Sequence, residues 1–172
     1  MVPGHNGSCG EEALNRRIQE ALNPFSSIER EFVASHAVFR LGDRVIQNAN
    51  NYELDVYNGD IGFIESVSAH GVVVLYDGER SVVYEGKVLS ELALAYAITI
   101  HRSQGSEFPA VIVGMSTQSW IMLQRNLLYT AVSRARRLCA VITQTRAISV
   151  AVKQSGGYRL TGLAARIAGR AI

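Results

Sequence analysis

The chain has 172 residues, 48% of them hydrophobic, which suffices for one ordinary domain, or a domain carrying a small inserted module, around a real core and excludes a disordered polymer. No run reaches the roughly 18 apolar residues that a membrane-spanning helix needs, and the opening MVPGHNGSCGEE lacks the basic-then-apolar order of a secretory signal, so a soluble, cytoplasmic protein with no membrane partner is expected. The net charge of +2 conceals an asymmetry: residues 1–100 hold 14 of the 15 acidic groups and 7 of the 17 basic ones, whereas 101–172 hold 10 basic groups and a single carboxylate, Glu107. A second half so basic fits a polyanion such as nucleic acid or nucleotide phosphate, although solvated helix faces are also often basic.

In chain order, a turn-rich lead-in precedes a helix whose apolar positions Ala13, Leu14, Ile18, Ala21 and Leu22 recur at helical spacing and which Pro24 stops. The composition then changes. From about residue 37 to 91, β-branched and aromatic runs are separated by Gly42-Asp43, Asn58-Gly59-Asp60, His70-Gly71 and Asp77-Gly78, the pattern of a small antiparallel β-barrel. Among its aromatics are Tyr52, Tyr57, Phe63, Tyr76 and Tyr84, and at least three of these five are expected inside so small a core. From Leu92 the apolar runs LALAYAITI, AVIVGM and LCAVIT, with a helix around Ser119 to Arg137 between the last two, predict an α/β unit with a parallel sheet covered on both faces. Antiparallel pairing of the first two strands is the alternative, since the nine residues between them are near the minimum for a parallel crossover. The closing LTGLAARIAGRAI reads as a weakly amphipathic terminal helix. Cys9 and Cys139 are far apart and lack a CxxC or paired-histidine context, so neither a disulfide nor a metal site is expected.

Between two of the apolar runs lies a polar knot, His101 to Pro109. Its expected place is beyond the carboxyl end of a strand, where ligands of parallel sheets bind. Thr99, His101, Arg102, Ser103 and Gln104 supply donors suited to phosphate and sugar oxygens, Gly105 permits close backbone approach, and Glu107 suits a ribose hydroxyl. A capped turn, with the serines satisfying local backbone, accounts for the same residues. In the following helix Trp120, Leu123, Leu127, Leu128, Ala131 and Ala135 form an apolar stripe, with Arg125 and Arg136 opposite and Arg134 at its margin. Arg134 therefore either snorkels to water or reaches into a cleft to meet a phosphate bidentately.

AITIHRSQGSEFPAVIV resembles motif V of superfamily 1 helicases, NLLYTAVSRARRLCAVI resembles motif VI, and ALNRRIQEALNP is similar to motif IV of the RecD-like branch. GDRVIQNANNYELDVYNGDIGFI is similar to the SH3-like module inserted in the second motor domain of those enzymes. The resemblance implies a second RecA-like domain, residues 1–36 and 92–172, interrupted by an SH3-like barrel at 37–91. It implies an arginine finger at Arg134, single-stranded DNA facing Thr99 and His101, and a nucleotide side at Gly105 and Glu107. It also implies a further phosphate contact at Arg16 or Arg17, between which the spacing does not choose.

The resemblance further implies ATP and Mg2+ as cofactors, 5′-to-3′ polarity, and as partners single-stranded DNA, an N-terminal RecA-like domain of the same protein and other exonuclease subunits. The sequence has no G-x-x-x-x-G-K-S/T phosphate loop. The expectation is half an engine, a truncated chain or gene fragment inactive as an ATPase by itself. A stand-alone single-strand-binding module and the helicase part of a conjugative relaxase are the alternative readings.

Overall fold

The computed structural model describes residues 1–154; the stretch read as a terminal helix lies outside them. The first helix, α1 (Glu11–Leu22), begins with Glu11 and Glu12, carboxylates that favour the positive end of the helix dipole, and ends just before Pro24. Its buried side chains are Glu11, Asn15 and Gln19, whereas Leu22 is 72% exposed. The apolar recurrence that identifies the helix therefore does not mark its inner face. The polar side chains turn inward because they complete backbone pairing: Asn15 donates to Ala97 O at 2.9 Å and accepts from Ala97 N at 2.8 Å. Buried polar groups are tolerated when so paired.

Strands β1 (Glu31–Val33) and β2 (Val38–Arg40) form a hairpin, and β3 (Arg44–Gln47), β4 (Ile61–Val67), β5 (Gly71–Tyr76), β6 (Arg80–Glu85) and β7 (Leu92–Leu94) form an antiparallel sheet in the order β6-β5-β4-β3-β7. β1 and β7 fall just outside the 37–91 interval. The β5–β6 turn has positive φ at both Asp77 and Gly78, the backbone of a turn matched to strand twist, and Glu79 completes a three-residue connection before the Tyr76–Arg80 pair. Phe39, Val45, Val56, Ile64, Val72, Val74, Tyr76, Tyr84 and Leu92 make one core. Within it the Tyr76 and Tyr84 hydroxyls meet at 2.7 Å, Tyr84 donates to Gln47 Oε1 at 2.8 Å, and Gln47 donates to Glu91. Burial pushes both phenols up. Of the five aromatics named above only these two are buried; Tyr52, Tyr57 and Phe63 are exposed, against the expectation that at least three would pack inside. A further barrel aromatic, Phe39, is buried, and most of the remaining core is β-branched.

The α/β half departs further from the sequence reading. LALAYAITI is not one long strand: β7 ends at Leu94, and beyond it the pairing is a single parallel bridge between Thr99 and Val2. Strands β8 (Phe108–Met115) and β9 (Ala135–Thr143) do pair in parallel. Met1 lies beside β8, donating to Ile112 O and accepting from Gly114 N, so a short N-terminal strand fragment separates Thr99 from β8. The helix expected over 119–137 is divided. A 3-10 turn covers Thr117–Met122, α2 spans only Arg125–Val132, and Ala135 to Arg137 already belong to β9. Leu123, Leu127 and Ala131 of the expected stripe are buried, with Ala147 and Ala151 of α3 (Thr145–Lys153), against Val111, Val113 and Met115. Trp120 stays half-exposed, and among the described residues the opposite face of the sheet leaves Ile112, Leu138 and Ile142 exposed.

The two halves meet at Asp43. Fully buried, it accepts from Gln19 of α1, from Asn23, from the Arg40 amide and from the Tyr96 hydroxyl. Burial, then the hydrogen bond to Asp43, pushes the Tyr96 phenol up to about 12.

Candidate nucleic-acid and nucleotide interface

The polar knot crosses the height of the sheet. Thr99 pairs with Val2, and Met1 with the Ile112–Gly114 segment, so Thr99 lies level with the carboxyl end of β8, while the knot must deliver the chain to Phe108 at the amino end. The expectation of a loop wholly beyond carboxyl ends is thus half right: the first residues lie there, and Ser106 and Glu107 lie at the amino ends of β8 and β9. Strand directions alone could not reveal this, because the intervening strand comes from the other end of the chain.

At the upper end, Thr99, His101, Arg102 and Gln104 line one cleft with Pro3, His5 and the barrel turn Asn58-Gly59, about 650 Å3 in volume. His101 and Gln104 are exposed, and among the described residues neither side chain is engaged by another group. Arg102 is held in place by Glu11, at 3.1 Å, and the same buried carboxylate accepts from the Thr99 amide and pairs with His5. Ser103 is not a ligand-facing group: it is fully buried and its hydroxyl donates to Ile100 O at 2.7 Å. The capped-turn account therefore holds for Ser103 and for the Thr99 hydroxyl, which is buried and accepts from the Arg102 amide, and the ligand account fits His101, Arg102 and Gln104. Gly105, with φ +87 and open space where a Cβ would stand, takes the left-handed conformation that turns the loop downward.

At the lower end, Arg134 occupies the turn between α2 and β9 and not the margin of a helical stripe, because α2 ends at Val132. Its Nε donates to Thr130 O, one Nη to Ser106 O at 3.1 Å, and the other to Ser133 Oγ. All three acceptors are uncharged, so among the described residues no carboxylate neutralises this guanidinium. Of its five N–H donors three are engaged, and the rest are free for a ligand. Arg136 does not stand opposite a stripe on a helix; it projects from β9 and pairs with Glu107 at 2.7 Å. Glu107 is consequently engaged by an exposed arginine.

Arg16 and Arg17 are both exposed on α1. Arg16 lines the groove between α1 and the β1–β2 hairpin that also contains Arg102; Arg17 does not. Neither is among the groups that contact Arg134. Sequence reasoning missed Glu11, which positions Arg102 from 91 residues away, and the Asn58-Gly59 turn as a wall of the upper cleft. Only the turn signal itself was visible, and nothing in it indicates where the barrel docks.

Two family models match the chain in succession: the SH3 domain of ATP-dependent RecD-like DNA helicases over residues 14–77, and the UvrD-like helicase C-terminal domain over residues 94–142. The fold and the order of these modules define a superfamily 1 helicase motor domain of the second RecA-like type. Within that class the chain is a member of the RecD-like helicase family. It is 33% identical over 97% of its length to the ATP-dependent RecD2 DNA helicase of Deinococcus radiodurans, and 30% identical over 94% to the RecBCD enzyme subunit RecD of Mycolicibacterium smegmatis. It spans 23% and 27% of those two proteins. In fold it matches the Pif1 helicase from Bacteroides solved with ADP-AlF3 and single-stranded DNA, with a TM-score of 0.62 over 92% of this chain and 44% of that one at 21% identity.

Proposed function

We propose that this chain is the C-terminal motor domain of an ATP-dependent RecD-like DNA helicase, which grips single-stranded DNA at the upper cleft and completes an ATP site at the lower end of the same loop. The observation that carries this reading is the loop itself. Seven residues, 101 to 107, join a cleft with free donors at His101 and Gln104 to a carbonyl, that of Ser106, held by an arginine without a carboxylate partner. A shift at one end is transmitted to the other by a short, hydrogen-bonded segment.

In this reading His101, Arg102 and Gln104 face the DNA strand from the cleft that Thr99 also lines, and Glu11 fixes the Arg102 fork. Arg134, with two N–H donors left over from its three carbonyl and hydroxyl anchors, meets the γ-phosphate across a cleft from the first RecA-like domain and stabilises the charge that develops on transfer. Gly105 and Glu107 shape the nucleotide side, and Arg16, which lines a groove with Arg102, is the better candidate than Arg17 for a further phosphate contact. Among the described residues no group of His, Cys, Asp or Glu is placed to hold a metal ion. By resemblance to the family, magnesium belongs, with most of the ATP contacts, to the first domain, and no step here runs through it. Closure of the cleft on ATP moves this domain along the strand, and further exonuclease subunits are partners by the same reasoning from the family.

Titration of the chain against labelled single-stranded oligonucleotides over a range of salt tests the strand-binding half of this function. The basic half and the free donors of the cleft predict weak binding with a steep negative salt slope, from counterion release. Binding that is absent at low salt, or indifferent to salt, removes the DNA-facing assignment.

A further inference from the structure

The barrel carries two exposed aromatics that its core does not use and that lie on an unusually well-fixed loop. Tyr52 is 77% exposed and Tyr57 44% exposed, and their rings meet edge to face at 6.1 Å between centroids. The loop that bears them is closed by a two-way backbone pairing of Asn51 with Val56, which is itself fully buried. Asn51 Oδ1 accepts from the Glu53 and Leu54 amides, Asn50 from the Asn58 amide, and Asp60 from the Tyr57 amide. The Tyr57 hydroxyl donates to Asp55 at 3.0 Å. Two large rings are thus held out into solvent by a loop already ordered, which lowers the entropic cost of laying a ligand on them.

Position indicates the ligand. The two residues after Tyr57, Asn58 and Gly59, line the same cleft as His101 and Gln104, so the loop that bears the aromatic pair also supplies one wall of that cleft, with the rings themselves standing outside it. Charge indicates its orientation. Glu53, Asp55 and Asp60 surround the pair, and although Arg80 lies 3.6 Å from Asp55 and 3.8 Å from Asp60, this loop does not attract phosphates. A strand leaving the cleft keeps its phosphates toward the knot and turns its bases toward the rings, where stacking tolerates any sequence.

We propose that Tyr52 and Tyr57 form a base-stacking platform that extends the single-stranded DNA path from the His101–Gln104 cleft onto the barrel. The platform rests on the strand-binding function proposed above, and the test separates the two. The 172-residue chain is titrated at low salt with an oligothymidylate of about 15 nucleotides, near the upper end of common site sizes, and with a fully abasic strand of equal phosphate number. The proteins are the wild type, Tyr57→Phe, Tyr52→Leu with Tyr57→Leu, and His101→Ala with Gln104→Ala. The double leucine variant is expected to bind oligothymidylate about 10- to 100-fold more weakly, by the range seen for base–aromatic stacking, and the abasic strand within about twofold of wild type. Tyr57→Phe, which keeps the ring, stays near wild type on both strands, and the histidine–glutamine variant weakens both alike. Unchanged oligothymidylate affinity in the leucine variant, or an equal loss on both strands, overturns the platform and leaves the cleft standing. Failure of the wild type to bind either strand overturns both.

Discussion

In the barrel, the inward residues of β3 to β6 close on one another and the buried polar atoms of Tyr76, Tyr84 and Gln47 answer one another. In the α/β half, two parallel strands are covered by α2 and α3 on one face, and the polar groups that matter lie along the rim, in the knot and in the turn before β9. The two halves direct their hydrogen-bonding capacity oppositely. The barrel turns it inward, which fixes a unique core and leaves little for a ligand except the two rings on its tip. The α/β half ties one loop to another and leaves guanidinium, imidazole and amide groups with unused hydrogen-bonding capacity. Substitutions in the barrel should therefore register as stability, and substitutions at the rim as activity.

The largest expected effect lies at the rim. In an enzyme reconstituted with a first RecA-like domain, Arg134→Lys keeps the charge and loses the fork, and DNA-stimulated ATP turnover should fall on the order of 10³-fold, the lower range for loss of an arginine finger. Because Arg134 also ties Thr130 to Ser106, a stability loss of about 1 kcal/mol accompanies it, far too small to explain the turnover. Arg136→Lys, which alters an exposed pair, should leave turnover within about twofold. Near-normal turnover in Arg134→Lys would reduce Arg134 to a loop tie and direct the search to Arg16.

At the junction, Asp43→Ala leaves four donors without their acceptor, three of them on side chains of α1, its following turn and Tyr96. Urea unfolding should show a loss of about 3 kcal/mol, the upper range for buried donors left without an acceptor. A loss below about 1 kcal/mol would mean that the two halves do not depend on this carboxylate. Inside the barrel, Tyr84→Phe removes the hydroxyl between Tyr76 and Gln47 and should cost about 1–3 kcal/mol with oligonucleotide affinity unchanged; altered affinity would contradict the division between an inward-facing barrel core and a functional rim.

A smaller effect appears in alkali. Tyr96, Tyr76 and Tyr84 all have phenols raised above the ordinary value of 10 in the folded chain. The folded state holds these protons more tightly than the unfolded one, so their contribution is complete below pH 10 and is lost as pH rises through the folded values, about 12 for Tyr96. Stability followed by denaturant unfolding should be flat with respect to these groups up to about pH 10 and decline above it, less steeply in Tyr96→Phe. The smallest expected signal is none: the chain alone should turn over ATP no faster than buffer, with or without single-stranded DNA, and turnover abolished by Arg134→Ala would end the half-engine reading.

The sequence by itself determined the local elements whose signals are local: α1 from its periodicity and Pro24, the β5–β6 hairpin from Asp77-Gly78, and β8 and β9 from their continuous apolar runs. It also carried the motif likenesses that assign the family, because the knot and the SRARR segment are contiguous in the chain. Long-range contacts set which face of α1 is buried, since Asn15 and Gln19 turn inward to meet acceptors at Ala97, Val38 and Asp43 that no helical period can indicate, and it is the folded structure that supplies them. It decided that Arg134 sits in a turn and Arg136 on a strand, because whether SRARRL continues a helix or begins β9 depends on pairing with Phe108 and Ala110. It also decided that His101 and Gln104 share a cleft with Asn58-Gly59 while Ser106 meets Arg134. These are contacts between residues far apart in sequence, set by sheet register and by the docking of one half on the other.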